Sequence, residues 1–109
     1  MEVRYKDKKI RDLCEKQAVA EKKLGAASAR KLKLRLLALE AAARVTDLVA
    51  GNPHPLKGDR LGQFALDLAG GWRLLFTPAH DPCPTRPDGG IEWSHVTVIS
   101  IESIGDYHD

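Results

Sequence analysis

The stretch Phe64-Ala65-Leu66-Asp67-Leu68-Ala69-Gly70-Gly71-Trp72-Arg73-Leu74-Leu75-Phe76 decides the fold. Large apolar residues alternate on both sides of the Ala69-Gly70-Gly71 break, the period of two that marks strands with one buried face. Turn length sets how the two strands pair. A two-residue loop at Gly70-Gly71 pairs Leu68 with Arg73 and mixes the faces. A three-residue loop pairs Leu68 with Trp72 and brings Phe64, Leu66, Leu68, Trp72, Leu74 and Phe76 to one side. The second register buries every large apolar side chain but Leu75, so it is the expected one. It leaves Gln63, Asp67 and Arg73 on an open face.

Upstream the apolar period changes to that of a helix. Ile10, Leu13 and Cys14 predict a first helix over residues 7–17, with Asp7 as its N-cap. A break is expected over 22–25. Leu32, Leu36, Leu39 and Ala43 predict a second, stronger helix over 27–43, capped by Ser28. A short strand over 3–5 precedes both. Gly51-Asn52-Pro53-His54-Pro55 ends the helical half, because paired prolines forbid helix. Downstream, residues 78–90 hold four prolines and two glycines and read as a long loop. The last strand region spans 93–104. Its apolar parity slips between Val98 and Ile99, which predicts a bulge or a sheet edge. The expected fold is α+β: two N-terminal helices on one face of a small, mainly antiparallel sheet, in the order β-α-α-β-β-β.

At 109 residues the chain is read as one domain, 1–109. Its net charge of +2 conceals a division: residues 1–60 hold 15 Lys/Arg and 8 Asp/Glu, and residues 61–109 hold 2 and 7. A basic half suits a polyanionic partner or, more plainly, a solvated helical face. Lys31, Lys33 and Arg35 on the second helix, with Arg60, are the candidate RNA-binding cations. No run approaches the roughly 20 apolar residues of a membrane span. The N-terminus is charged, without the apolar run of a secretory leader. Cys14 and Cys83 match no disulfide or metal spacing, so free thiols and a cytoplasmic location are expected. No metal site and no cofactor is expected, because the histidines and cysteines do not converge by spacing and no phosphate-cradling glycine motif is present.

Two clusters carry the chemistry. One is His54-Pro55-Leu56-Lys57-Gly58-Asp59-Arg60, and the other is the terminal Asp106-Tyr107-His108. Acid, phenol and imidazole on consecutive residues are poor core material and good material for moving a proton beside a phosphate. Metal-free cleavage of RNA needs a base for the ribose 2′-hydroxyl, cations for the phosphate, and a proton for the leaving 5′-oxygen. His54 and His108 are the acid–base candidates, and Asp106 is an orienting group or an alternative base. Tyr107 can stack on a nucleobase or donate a proton. Lys57, Arg60 and Arg73 are phosphate clamps. Each residue also has a bland reading: His54 as a loop residue, Lys57 to Arg60 as a polar turn, Arg73 as the surface partner of Asp67, and the last residues as a frayed tail.

The segments His54 to Arg60, Gly62-Gln63-Phe64, Trp72 to Phe76 and Asp106-Tyr107-His108, with the opening Tyr5 to Lys9, resemble the HigB toxins. These belong to the RelE/ParE superfamily of bacterial type II toxin–antitoxin systems, and the resemblance spans essentially the whole chain. It implies a compact RelE-like fold and a ribosome-dependent mRNA endoribonuclease, an mRNA interferase that inhibits translation. His54, Lys57, Arg73, Asp106, Tyr107 and His108 match the positions such enzymes use. The assignment of general acid and general base stays open. Implied partners are a cognate HigA-like helix-turn-helix antitoxin, the 70S ribosome with its rRNA and mRNA, and operator DNA reached through the antitoxin. The insertion over 78–90 departs from the compact members. Two rival readings are a ParE-like inhibitor of DNA gyrase without nuclease chemistry, and an inactive antitoxin-binding relic.

Overall fold

The computed structural model describes residues 1–106. Strand β1 (Glu2–Tyr5) leads into helices α1 (Lys8–Glu15), α2 (Gln17–Leu24) and α3 (Ala26–Ala41). Strands β2 (His54–Pro55), β3 (Phe64–Asp67), β4 (Arg73–Pro78) and β5 (Val98–Gly105) follow. The class is α+β, as expected, with three helices in place of two. Asp7 does cap α1, its carboxylate accepting from the Ile10 amide at 2.9 Å. Extended backbone at Lys16 interrupts the helix there, and Gly25, at φ 85°, ends α2. The helix over 17–24 buries only Ala20 and Leu24, too thin a stripe to stand out in the sequence. Ser28 is not a cap. It is buried within the first turn of α3, and its hydroxyl donates to the Ala69 carbonyl at 2.8 Å, fastening the helix to the β3–β4 turn.

The sheet order is β1-β5-β4-β3-β2. β5 is parallel to β1, and the other pairings are antiparallel. The β3–β4 pairing is the three-residue-loop register: Phe64 faces Phe76, Leu66 faces Leu74 and Asp67 faces Arg73. The Leu68 amide donates to the Trp72 carbonyl at 2.8 Å and closes the turn. One sheet face therefore presents Phe64, Leu66, Leu74 and Phe76 to Leu13, Leu24, Leu32, Leu36 and Leu39 of the helices. These side chains form the main core, with Ile99, Ile101 and Ile104 from β5.

The opposite face is less open than its sequence implies. Leu75 is fully buried in a second small cluster with Leu56 and Ala65. The chain after β2 supplies Leu56, and the prolines flanking His54 mask that strand in the sequence. The parity slip of the last strand lies later than expected. Leu75 pairs with Ser103 and Phe76 with Ile101, so the irregularity accommodates Glu102. This brings Ile101 and Ile104 to the same core, and β5 is an interior strand, not an edge. Residues 93–95 form a 3-10 turn before β5 begins at Val98.

Candidate functional site

The register of the sheet assembles the site. His54 pairs with Ala65, Ala65 with Leu75, and Leu75 with Ser103. Directly paired residues project from the same face. One step along the strands, Asp67 pairs with Arg73 and Arg73 with Gly105. His54, Asp67 and Arg73 therefore share the face turned away from the helices. Two strand spacings and a two-residue offset separate the backbones of His54 and Arg73 by roughly 12 Å, a span the long arginine side chain narrows.

Arg73 is held in place. Its Nε donates to Asp67 Oδ1 at 3.1 Å, and its side chain is only 19% exposed. Asp67 in turn is fixed from several directions. Its amide donates to the Gly51 carbonyl at 2.7 Å, and its second carboxylate oxygen accepts from Asn52 Nδ2 at 3.4 Å. Its carbonyl accepts from Arg35 Nε at 3.0 Å. Arg35 lies against Gly51, where any Cβ would stand 2.5 Å from Nε. The guanidinium of Arg73 is thus aimed by a carboxylate that is itself braced.

His54 is oriented as well. Its Nδ1 lies 2.7 Å from the Asn52 carbonyl. A carbonyl only accepts, so Nδ1 is the donor and carries a hydrogen. Asn52 adopts φ 51°, a left-handed conformation that asparagine tolerates better than most residues. One residue therefore serves both candidates, its carbonyl holding His54 and its amide reaching Asp67. The sequence showed Gly51-Asn52-Pro53 only as a turn, and neither this role nor the bracing of Asp67 was foreseen.

Lys57 is exposed and opens the 3-10 turn Gly58–Arg60, which carries half-buried Arg60. Backbone bonds from Leu56 to Gln63 and from Gln63 to Arg60 fold this turn tightly between β2 and β3. The Oε1 atom of Gln63 is buried with no hydrogen-bond partner among the described residues. Asp106 is exposed and directly follows Gly105, the β5 partner of Arg73. Tyr107 and His108 lie outside the described residues. Lys31 and Lys33 are exposed on α3, in the layer that covers the other sheet face, so the fold does not bring them to His54 and Arg73. Arg35 departs from its expected role, because it is half-buried and anchors α3 to β3.

Among the described residues, no three His, Cys, Asp or Glu side chains converge as metal ligands. No helix among them is long and apolar enough to cross a membrane. No protein-family model matches the chain, and no curated protein matches it.

Proposed function

We propose that this chain is a HigB-type toxin of the RelE/ParE superfamily, with a RelE-like fold, and that it cleaves mRNA on the ribosome without a metal. The observation that carries the reading is the shared sheet face: Arg73 aimed by Asp67, with His54 on the same face and its Nδ1 held by the Asn52 carbonyl. In this mechanism an imidazole or carboxylate takes the 2′-hydroxyl proton and the oxygen attacks the adjacent phosphorus. Arg73 and Lys57 stabilise the charge gathering on the phosphoryl oxygens. A second group protonates the departing 5′-oxygen, leaving a 2′,3′-cyclic phosphate and a free 5′-hydroxyl. His54 takes one proton role. Asp106, Tyr107 and His108 supply the other and the stacking, from a segment that follows the β5 partner of Arg73.

In this proposal the toxin acts in the bacterial cytoplasm and is held inactive by a HigA-like antitoxin that also binds operator DNA. Cations on two layers of the molecule suit a protein lodged between walls of ribosomal RNA, with Lys31 and Lys33 on one side and Lys57 and Arg60 on the other.

Mapping transcript 5′ ends after induced expression tests the proposal. The expected result is growth arrest with cuts at defined codons, only in messages under translation. Arg73→Ala and His108→Ala should abolish cutting while antitoxin binding persists. Equal toxicity of those variants, or loss of gyrase supercoiling in place of cutting, refutes the nuclease reading and favours the gyrase-inhibitor alternative.

A further inference from the structure

The insertion over 78–90 is not a slack loop. His80 Nε2 accepts from the amides of Thr97 and Val98 at 3.0 and 3.1 Å, which pins the start of the insertion to β5. Thr85 bridges to Ile91, the Arg86 amide donates to the Gly90 carbonyl at 2.7 Å, and the Glu92 amide donates to the Pro84 carbonyl at 3.0 Å. Residues 84–92 are therefore a small ordered hairpin. It forms one wall of a cleft of about 490 Å³, and the turn after β2 forms the other. The two walls approach at Gly62, whose Cβ, were there one, would lie 3.8 Å from Ile91 Cδ1.

The lining has a specific chemistry. Leu56, Ile91 and Trp93 give an apolar floor and Leu61 an apolar rim, with Lys57 and Arg86 as the charged members. The Trp93 ring is braced by Phe64, at 4.9 Å between centroids and 61° between planes, and is thereby preorganised. Leu61 stays 80% exposed at the rim. Neighbouring carboxylates Asp59, Asp88 and Glu92 do not line the cleft. Asp88 Oδ1 stands 3.4 Å from Arg86 Nε and accepts from the Gly90 amide at 2.8 Å, but both side chains are more than half exposed, so the solvated ion pair holds Arg86 only weakly. After residue 60 the chain has only two Lys/Arg, Arg73 and Arg86. One sits on the face described above and the other on this cleft.

We infer that the cleft binds one nucleotide of single-stranded RNA flanking the scissile bond, its base against Trp93 and Ile91 and its phosphate on Arg86. An aromatic and aliphatic floor with cations and no carboxylate in the lining matches a flat π-face joined to a phosphate. Lys57 lines this cleft and also belongs to the proposed catalytic set, so a strand engaged at Lys57 passes directly into it. The inference rests on the nuclease reading and adds a subsite that selects sequence beside the cut.

The test is a titration of the full chain with a short single-stranded RNA and with the same oligomer lacking its bases. Indole N–H signals are followed by NMR, and that of Trp93 is identified by its loss in Trp93→Phe. The Trp93 signal should shift with the intact RNA and not with the abasic one. Arg86→Ala should weaken binding about tenfold. Gly90→Ala should do likewise with the fold intact, because a Cβ there would stand 2.6 Å from Arg86 Nη2 and displace the guanidinium. On translating ribosomes both variants should still cut, at a changed set of codons. An unmoved Trp93 signal, equal response to the abasic oligomer, or unchanged affinity in both variants overturns the subsite. Messages cut by the wild type at the same codons as by both variants also overturn it and leave the nuclease standing. A shifted Trp93 signal in a protein that cuts nothing keeps the subsite and removes the nuclease.

Discussion

Asp67 and Arg73 face each other across adjacent strands and are joined by an Nε to Oδ1 bond of 3.1 Å. The carboxylate turns the arginine from a mobile surface cation into a directed one. Because Arg73 is largely covered, removing the Asp67 carboxylate takes away one of the groups that balance a poorly solvated charge. Asp67→Asn should cost about 1–3 kcal/mol in urea denaturation and lower message cleavage, whereas Arg73→Lys should keep the charge and lose the aim. A double-mutant cycle with Asp67→Asn and Arg73→Ala should show strong coupling in both stability and cleavage. Additive effects would mean that the carboxylate does not act through the arginine.

His54 offers a cleaner separation of chemistry from stability. It is half-buried at a short edge strand, and its Nδ1 is held by a backbone carbonyl. His54→Gln should lower the cleavage rate by about 10²–10⁴-fold, the range typical of losing a proton-transfer group. The melting transition should move far less than for a core truncation, since the half-buried ring gives up a hydrogen bond to a backbone carbonyl, about 0.5–1.5 kcal/mol. A variant that melts early and cuts at a normal rate when folded would make His54 a structural residue.

Leu75 marks where the alternating pattern misleads. Alternation assigns it to the open face, yet it is fully buried with Ala65 and Leu56. Leu75→Ala should therefore cost about 2–5 kcal/mol, like any buried leucine. A change near zero in the denaturation midpoint would mean that the second cluster does not form.

What was legible in the sequence was what local rules carry. The β3–β4 register followed from period-two alternation and turn length, and the buried stripe of α3 from period 3.6. The cap at Asp7 followed from its side-chain chemistry. Long-range closure carried the rest. Leu56 covers Leu75 only once β2 adds to the edge of β3. Ser28 finds the Ala69 carbonyl, and Arg35 finds that of Asp67, across 41 and 32 residues of chain. The hairpin over 84–92 has neither period, so its prolines read as looseness, while His80 and backbone bonds give it order. His54 and Arg73 were named from chemistry, but Asn52, which orients one and braces the partner of the other, carries no signal of that role in a turn.

Cys14 gives a prediction that depends on pH and is independent of function. Burial, reinforced by the neighbouring Glu15 carboxylate, pushes its thiol up to about 12. The thiolate is the reactive form, so Cys14 should stay unmodified by iodoacetamide at pH 8 in the folded protein. It should label readily in urea, where an ordinary thiol titrates near about 8.5. The sign for stability follows from linkage. A group whose folded value is raised gives its full stabilisation below the unfolded value and loses it as pH climbs towards the folded one. Between those limits only the unfolded chain releases the proton, so stability should fall with rising alkalinity. Cys14→Ala should flatten that fall across the same window. Rapid labelling of Cys14 in the native state at pH 8, or an identical alkaline slope in the variant, would show that the thiol is not shielded where α1 meets the core.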